Sequence, residues 1–458
     1  MTSPAPDPPV PPSPPDPPDP PVPPGPPAPP DPPDPPPPPR PRFSVRTRIQ
    51  IGLIGAVVLA TLLATWLFKN AGDAYQDAVA QEIKLQAALQ EDVRYVYADE
   101  AQPAFRVAAA SARAEALEGL KGKGRLAASE HYLAEQTEFA LRSAARPGSV
   151  VGSNRYLTGK QGYDLPRRLA DQQALHPGLY RLDPDATVRE GDRWNGWGRG
   201  TAAAAGAAVL AAVVAASVLR PVPWRRPPPV PPARPILRGV DPIPQPATAL
   251  PARRRAVQVH LLTAALLFLL PLGQLVATVS EQRSQAEAAR HAVRLTAGIA
   301  VSGQREAFLA EALAAAHVAE IEALAREAAV LYLEDSAATR HERSVATAET
   351  LLAGRLRQTA EFMGRAPGVV DGVTRGTVTA IGARPEDWPA MRREQGRQKE
   401  LADAAGSRAL YLAAATALAV VAEVLAAAFL EARRLSWMKW PVGFAALSLA
   451  ITAVTLVR

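Results

Sequence analysis

The chain has 458 residues, 48 prolines, no cysteine and a formal net charge of +7. The missing cysteines exclude disulfides, iron–sulfur clusters, thiolate zinc sites and cysteine nucleophiles. Residues 1–42 hold 26 of the prolines and residues 220–255 hold 12, and neither stretch is able to build a packed domain, because proline lacks the backbone N–H that helices and sheets require.

Residues 1–48 read as a disordered, low-complexity tail. From Asp7 to Pro36 the chain is ten uninterrupted X-Pro-Pro triplets. In polyproline II, with three residues per turn, every X side chain falls on one edge of the rod. Five of those positions are aspartates, which gives an acidic stripe on a semi-rigid spacer of roughly 90 Å at about 3.1 Å per residue. The segment is either a drifted triplet repeat or a docking tract for a cytoplasmic polyproline-binding partner.

Five apolar stretches reach or approach the roughly 20 residues needed to cross a bilayer. They lie at 49–68, 201–219, 257–279, 409–430 and 441–457. Arginine and lysine concentrate before the first stretch, in the Pro/Arg-rich linker 220–255, and in the short loop 431–440. All three clusters fall on one side, so the positive-inside rule puts the N-terminus in the cytoplasm and the C-terminus outside. Six of the seven tryptophans, including Trp66 and Trp194, sit at span ends, where amphipathic rings favour the headgroup layer. The first span reads as a retained signal anchor, because a long proline-rich tract precedes it and no small-x-small cleavage site follows.

Two segments then lie outside, 69–199 and 280–408, with 18 basic and 18 acidic residues in the first and 17 and 18 in the second. Their alanine, leucine, glutamate and arginine favour helix. In the first, Val79, Ile83, Leu89, Val93 and Val96 trace one helical face. Pro103 is a kink position, and a glycine-rich turn leads into a second helix over about Leu126–Ala145. Pro147–Gly148 ends that helix, and mixed loop and short helix are expected up to Trp197. In the second, Leu309, Leu313, Ile321, Leu324 and Leu331 share a face that includes His317, read as a packing histidine. A helix to about Met363 follows a polar break, Pro367–Gly368 ends it, and a last helix from about Asp387 runs into the fourth span. Both halves follow one plan, through internal duplication or through shared alanine-rich, coiled-coil-like composition.

No nucleophile or phosphate-loop motif is present, and no histidine spacing suits a metal. The one residue that breaks a local rule strongly is Glu423, ten positions from Arg433 and fifteen from Arg408 in the fourth span. An ionisable group near the bilayer centre costs about 2.5–3.5 kcal/mol on insertion scales. Thr263 and Ser448 lie at similar depth, with His260 about one turn nearer the cytoplasm. These four form the candidate intramembrane polar site, as a hydrogen-bonded packing element or as a proton or ion pathway. Gly52 and Ala56, with Ala204 and Ala208, give small-x-x-x-small steps suited to close helix contact within the chain or in a homo-oligomer.

The expected fold is an all-α membrane protein with five transmembrane helices and two extracytoplasmic helical-hairpin domains. No cofactor and no catalytic domain are expected. The excess of arginine over lysine, 44 to 7, suggests a high-GC bacterial genome and hence a bacterial cell membrane. The functional expectation is a sensory, scaffolding or complex-forming role, with envelope proteins or small ligands meeting the outer segments. The alternative is a transporter subunit or membrane enzyme using Glu423. Nucleic acid drops out as a partner, because the outer segments are electrically balanced and the positive charge belongs to the membrane anchor. In intact cells an Ala300→Cys chain should react with a membrane-impermeant maleimide; reaction only after permeabilisation would invert the orientation.

Overall fold

The computed structural model describes residues 45–122, 125–159, 162–218, 249–334, 336–365, 385–431 and 439–457. The chain divides into two compact units, Met1–Gln50 and Ile51–Arg458. Of the first, only the start of one helix is described, so the proline tail and the linker 220–248 lie outside the described residues, as do Pro367–Gly368. Among those described, the regular elements are all helices, joined by turns and one irregular loop that carries a single antiparallel bridge between Leu157 and Tyr163.

The helices in chain order are α1 (Val45–Arg94), α2 (Ala101–Glu118), α3 (Arg125–Ser143), α4 (Leu165–Ala174), α5 (Pro177–Tyr180), α6 (Pro184–Val218), α7 (Ala249–Leu331), α8 (Ala337–Met363), α9 (Trp388–Glu431) and α10 (Lys439–Val457). α1, α6, α7 and α9 are long and apolar enough to cross a membrane, and α10 is a shorter apolar helix. Unpaired backbone polar groups are costly in hydrocarbon, so a single-chain span built from such segments has to be helical. α7 runs for 83 residues with Pro271 inside it, about 125 Å at 1.5 Å per residue.

Pro103 does not end its helix. A π-helical turn, Tyr95–Glu100, joins α1 to α2 just upstream. In a regular helix the Pro103 ring would clash with the carbonyl of Asp99, and a wider turn relieves that crowding. α6 starts at Pro184, well before the Trp197 boundary expected from sequence. Asp183 explains the early start: its Oδ1 accepts from the Ala186 N–H at 2.8 Å, and Pro184 occupies a first-turn position that needs no N–H.

Residues from 69–199 and from 280–408 share one core. Val93, Val96, Tyr97, Phe105 and Leu165 are buried together with Phe308, Ala312, Leu356 and Met363. Phe308 meets the rings of Tyr97 and Phe105 edge-on at 6.2 and 6.4 Å. The buried face of α7 here is Phe308, Ala312, Ala316 and Ala323. The leucine-rich face read from the sequence is turned outward at its far end, with Ile321, Leu324 and Leu331 at least half exposed. His317 is also exposed rather than packed, 3.5 Å from Glu320. Alanine decides the face, because small side chains let α7 and α8 approach more closely than leucines would.

Below this head, α1 and α6 pack ring against glycine. A Cβ at Gly191 would lie 2.7 Å from the Tyr75 ring, and one at Gly198 would lie 2.7 Å from the Phe68 ring. Both pairs are seven residues apart, two turns along each helix. Trp66 and Trp194 meet edge-on at 5.7 Å, bringing two expected interface residues to one level. In α9, Ala415, Ala419, Ala422 and Ala426 are fully buried and form a small-residue seam toward α7 and α10. Gly52, Ala56 and Ala204 face outward instead.

One buried ion pair holds the head's irregular loop. Arg168 donates to both carboxylate oxygens of Glu100 at 2.8 and 3.0 Å, and the Val150 N–H donates to Glu100 Oε2 at 3.3 Å. The guanidinium lies 5.6 Å from the ring centres of both Tyr95 and Tyr156. Glu100 ends the π turn and Arg168 belongs to α4, so the pair ties two distant segments together. Arg168→Met should cost about 3–5 kcal/mol by leaving a buried carboxylate unpaired, whereas Glu100→Leu combined with Arg168→Met should recover most of that loss. Chemical unfolding of the two variants against the parent measures this, and equal loss in the single and double variants would deny the pair its role.

Candidate functional site

α7 and α9 run antiparallel and in close contact. Gly273 lies against Leu412, and Gly406 lies against the Glu281 carboxylate. The same alignment brings Glu423 to the turn of α7 that carries His260 and Thr263. The Thr263 hydroxyl donates to Glu423 Oε2 in a short hydrogen bond. His260 Nδ1 lies 2.6 Å from Glu423 Oε1, but off the line that a hydrogen bond requires. Thr263 is fully buried, and the Glu423 side chain is 19% exposed against 45% for His260.

Thr263 Oγ1 has more acceptors around it than protons to give. The carbonyls of Val259 and His260 are each 3.0 Å away, and Glu423 Oε2 is the third. A hydroxyl has one proton and two lone pairs, so Thr263 shares its proton among these acceptors, while the two carbonyls also accept within the helix ladder. The arrangement sets a carboxyl, an imidazole and a hydroxyl side by side between α7 and α9.

Ser448 is not part of this cluster. It is fully buried and donates to the Ala415 carbonyl at 2.8 Å. Ala415 is eight residues from Glu423, about 12 Å along α9 at 1.5 Å per residue. Ser448 therefore joins α10 to α9 at a different depth.

The sequence reading missed a second polar centre, at the join between the apolar helices and the head. Glu82 of α1 is wholly buried. Its Oε2 lies 2.7 Å from Arg294 Nη2 and 3.4 Å from Arg290 Nε, both on α7. Arg290 also donates to Asp185 of α6 in a short contact, and Arg294 reaches the same oxygen at 3.3 Å. Two turns nearer the apolar windows, Asp192 accepts from the Tyr75 hydroxyl and from Arg283, each at 2.8 Å. Ala71, Tyr75, Ala78 and Glu82 make one buried stripe, so a carboxylate in step with that stripe was the available signal.

These contacts move the protonation equilibria. Burial alone would raise the Asp185 carboxyl, but Arg290 and Arg294 outweigh it and hold the group below the usual aspartate range. Burial and the neighbouring Asp192 push the Tyr75 hydroxyl well up, so it stays protonated as a donor. Among the described residues, no three histidine or carboxylate side chains are grouped to hold a metal ion. No family model, curated protein or solved structure matches the chain.

The lowered Asp185 carboxyl gives a pH dependence with a definite sign. Its contribution is complete above the unfolded-state value of about 4 and is lost as pH falls through the lower folded-state value. Thermal unfolding of the solubilised protein should therefore weaken on acidification below about pH 4, and less so in Asp185→Asn. Parallel acid profiles for the two proteins would remove Asp185 from that role.

Proposed function

We propose that the protein is a multi-pass membrane protein of sensory, scaffolding or complex-forming type, with no catalytic domain of its own. On this reading it lies in a bacterial cell membrane, N-terminus in the cytoplasm, with the shared helical head outside. The observation that carries the reading is helical continuity. α7 and α9 extend without a break from apolar windows into the segments beyond them, and α1 reaches the head through a π turn and α2. An ion network then locks α1, α6 and α7 together where the windows end. Such a build transmits movement or holds partners at a set distance, and it needs no reaction chemistry. The bilayer is the constant partner, and the proline tail offers a cytoplasmic docking tract.

A second reading, a transporter subunit or membrane enzyme, is supported by Glu423 meeting His260 and Thr263. Intramembrane carboxyls with polar partners often mark proton or ion paths. Photocrosslinkers at the exposed Tyr332 and Phe139, used in native membranes, separate the two. Discrete adducts that persist in Glu423→Gln support the first reading. Ion or proton flux in proteoliposomes that disappears in Glu423→Gln replaces it with the second, and neither adducts nor flux would sink both.

A further inference from the structure

The head is a four-helix arrangement with one face left open. α2 packs on α3 and on α8, and α8 packs on α7, but no comparable contact joins α3 to α7. Between them lies a cleft of about 440 Å³, within the range of small-molecule sites. Its inner wall is apolar, with Ala110, Ala319 and Leu352 among the lining residues. Each of the four helices contributes charge: Arg113 from α2, Glu130 from α3, Glu322 and Arg326 from α7, and Glu349 from α8.

Glu349 is the informative member. Arg326 Nη1 lies 2.8 Å from its Oε1, while Oε2 is shut off from solvent and has no hydrogen-bond partner. A buried carboxylate oxygen without a donor is costly. Burial pushes the carboxyl up, and the neighbouring Glu322 and Glu130 add to the rise against the pull of Arg326 and Arg113. Three carboxylates against two guanidiniums leave the lining one negative charge in excess.

We propose that this cleft binds a small, singly charged primary amine with an apolar body. The ammonium pairs with the partly exposed Glu349 carboxylate beside Arg326 and cancels the residual charge. The apolar body lies on the alanine and leucine wall. An anionic ligand of the same size would meet a lining whose three carboxylates outnumber its two guanidiniums. In naming a ligand, the proposal rests on the sensory part of the reading above, yet the two fail separately.

The test is equilibrium dialysis of the full chain in nanodiscs with 2-phenylethylamine, 2-phenylethanol and 3-phenylpropionate. The amine should bind saturably and raise the unfolding temperature with its concentration. Glu349→Gln, which keeps the shape and removes the charge, should weaken it at least about tenfold, or roughly 1.4 kcal/mol. Ala319→Leu, which fills the cleft and leaves every charge in place, should do the same. The site is overturned if the amine binds no better than the alcohol, if the propionate binds preferentially, or if both variants bind like the parent. Variant-sensitive binding that leaves the crosslinking pattern unchanged keeps the site and removes the sensory reading.

Discussion

A carboxylate cut off from water must find cations within the protein, and Glu82 finds two on adjacent turns of α7. Arg290 and Arg294 are four residues apart, so both guanidiniums leave the same face of the helix. Through Asp185 the same arginines also fix α6. Losing Arg294 would leave the buried Glu82 carboxylate with only the longer Arg290 contact, and an undercompensated buried charge is costly. α1, α6 and α7 are thereby set in rotation and height at one level. The Tyr75–Asp192–Arg283 layer and the ring-on-glycine contacts at Gly191 and Gly198 follow from that setting.

The carboxyl within the apolar region is treated differently. Among the described residues, Glu423 meets an imidazole and a hydroxyl rather than a guanidinium. Hydrogen bonds between helices contribute modestly in lipid, so this group is held by packing and by its Thr263 contact rather than by a guanidinium. The two centres divide the work. One fixes three helices strongly beyond the apolar windows, and the other joins α7 to α9 loosely within them.

Much of this was legible in the sequence, for physical reasons. Apolar length and the absence of charge mark α1, α6, α7 and α9, and Pro147–Gly148 marks the end of α3 because few residues tolerate that turn. Glu423 stood out because a charge in an apolar run violates a strong rule, and His260 and Thr263 could be matched to it by depth. Ser448 could not be placed that way, since depth along one helix says little about its neighbour's register. The shared core was hidden because the contacts of Tyr97 and Phe105 with Phe308 join residues some two hundred positions apart. The buried face of α7 was misread because leucine was weighted above alanine, whereas close helix packing favours the smaller residue. The early start of α6 was readable from Asp183–Pro184, a helix-opening pair that the glycines after it obscured.

The length of α7 has a consequence for how the gene can change. Thr263 must face Glu423, Arg290 must face Glu82, and Phe308 must face Tyr97, all from one unbroken helix. Adding or removing a single residue between any two of them turns everything beyond it by about 100°. A change of seven residues turns it by only about 20°, and a matching change in α9 would keep that partner level. The helix therefore acts as a molecular ruler with a coarse scale: side chains along it are free to drift, but its length can alter only in steps of about two turns.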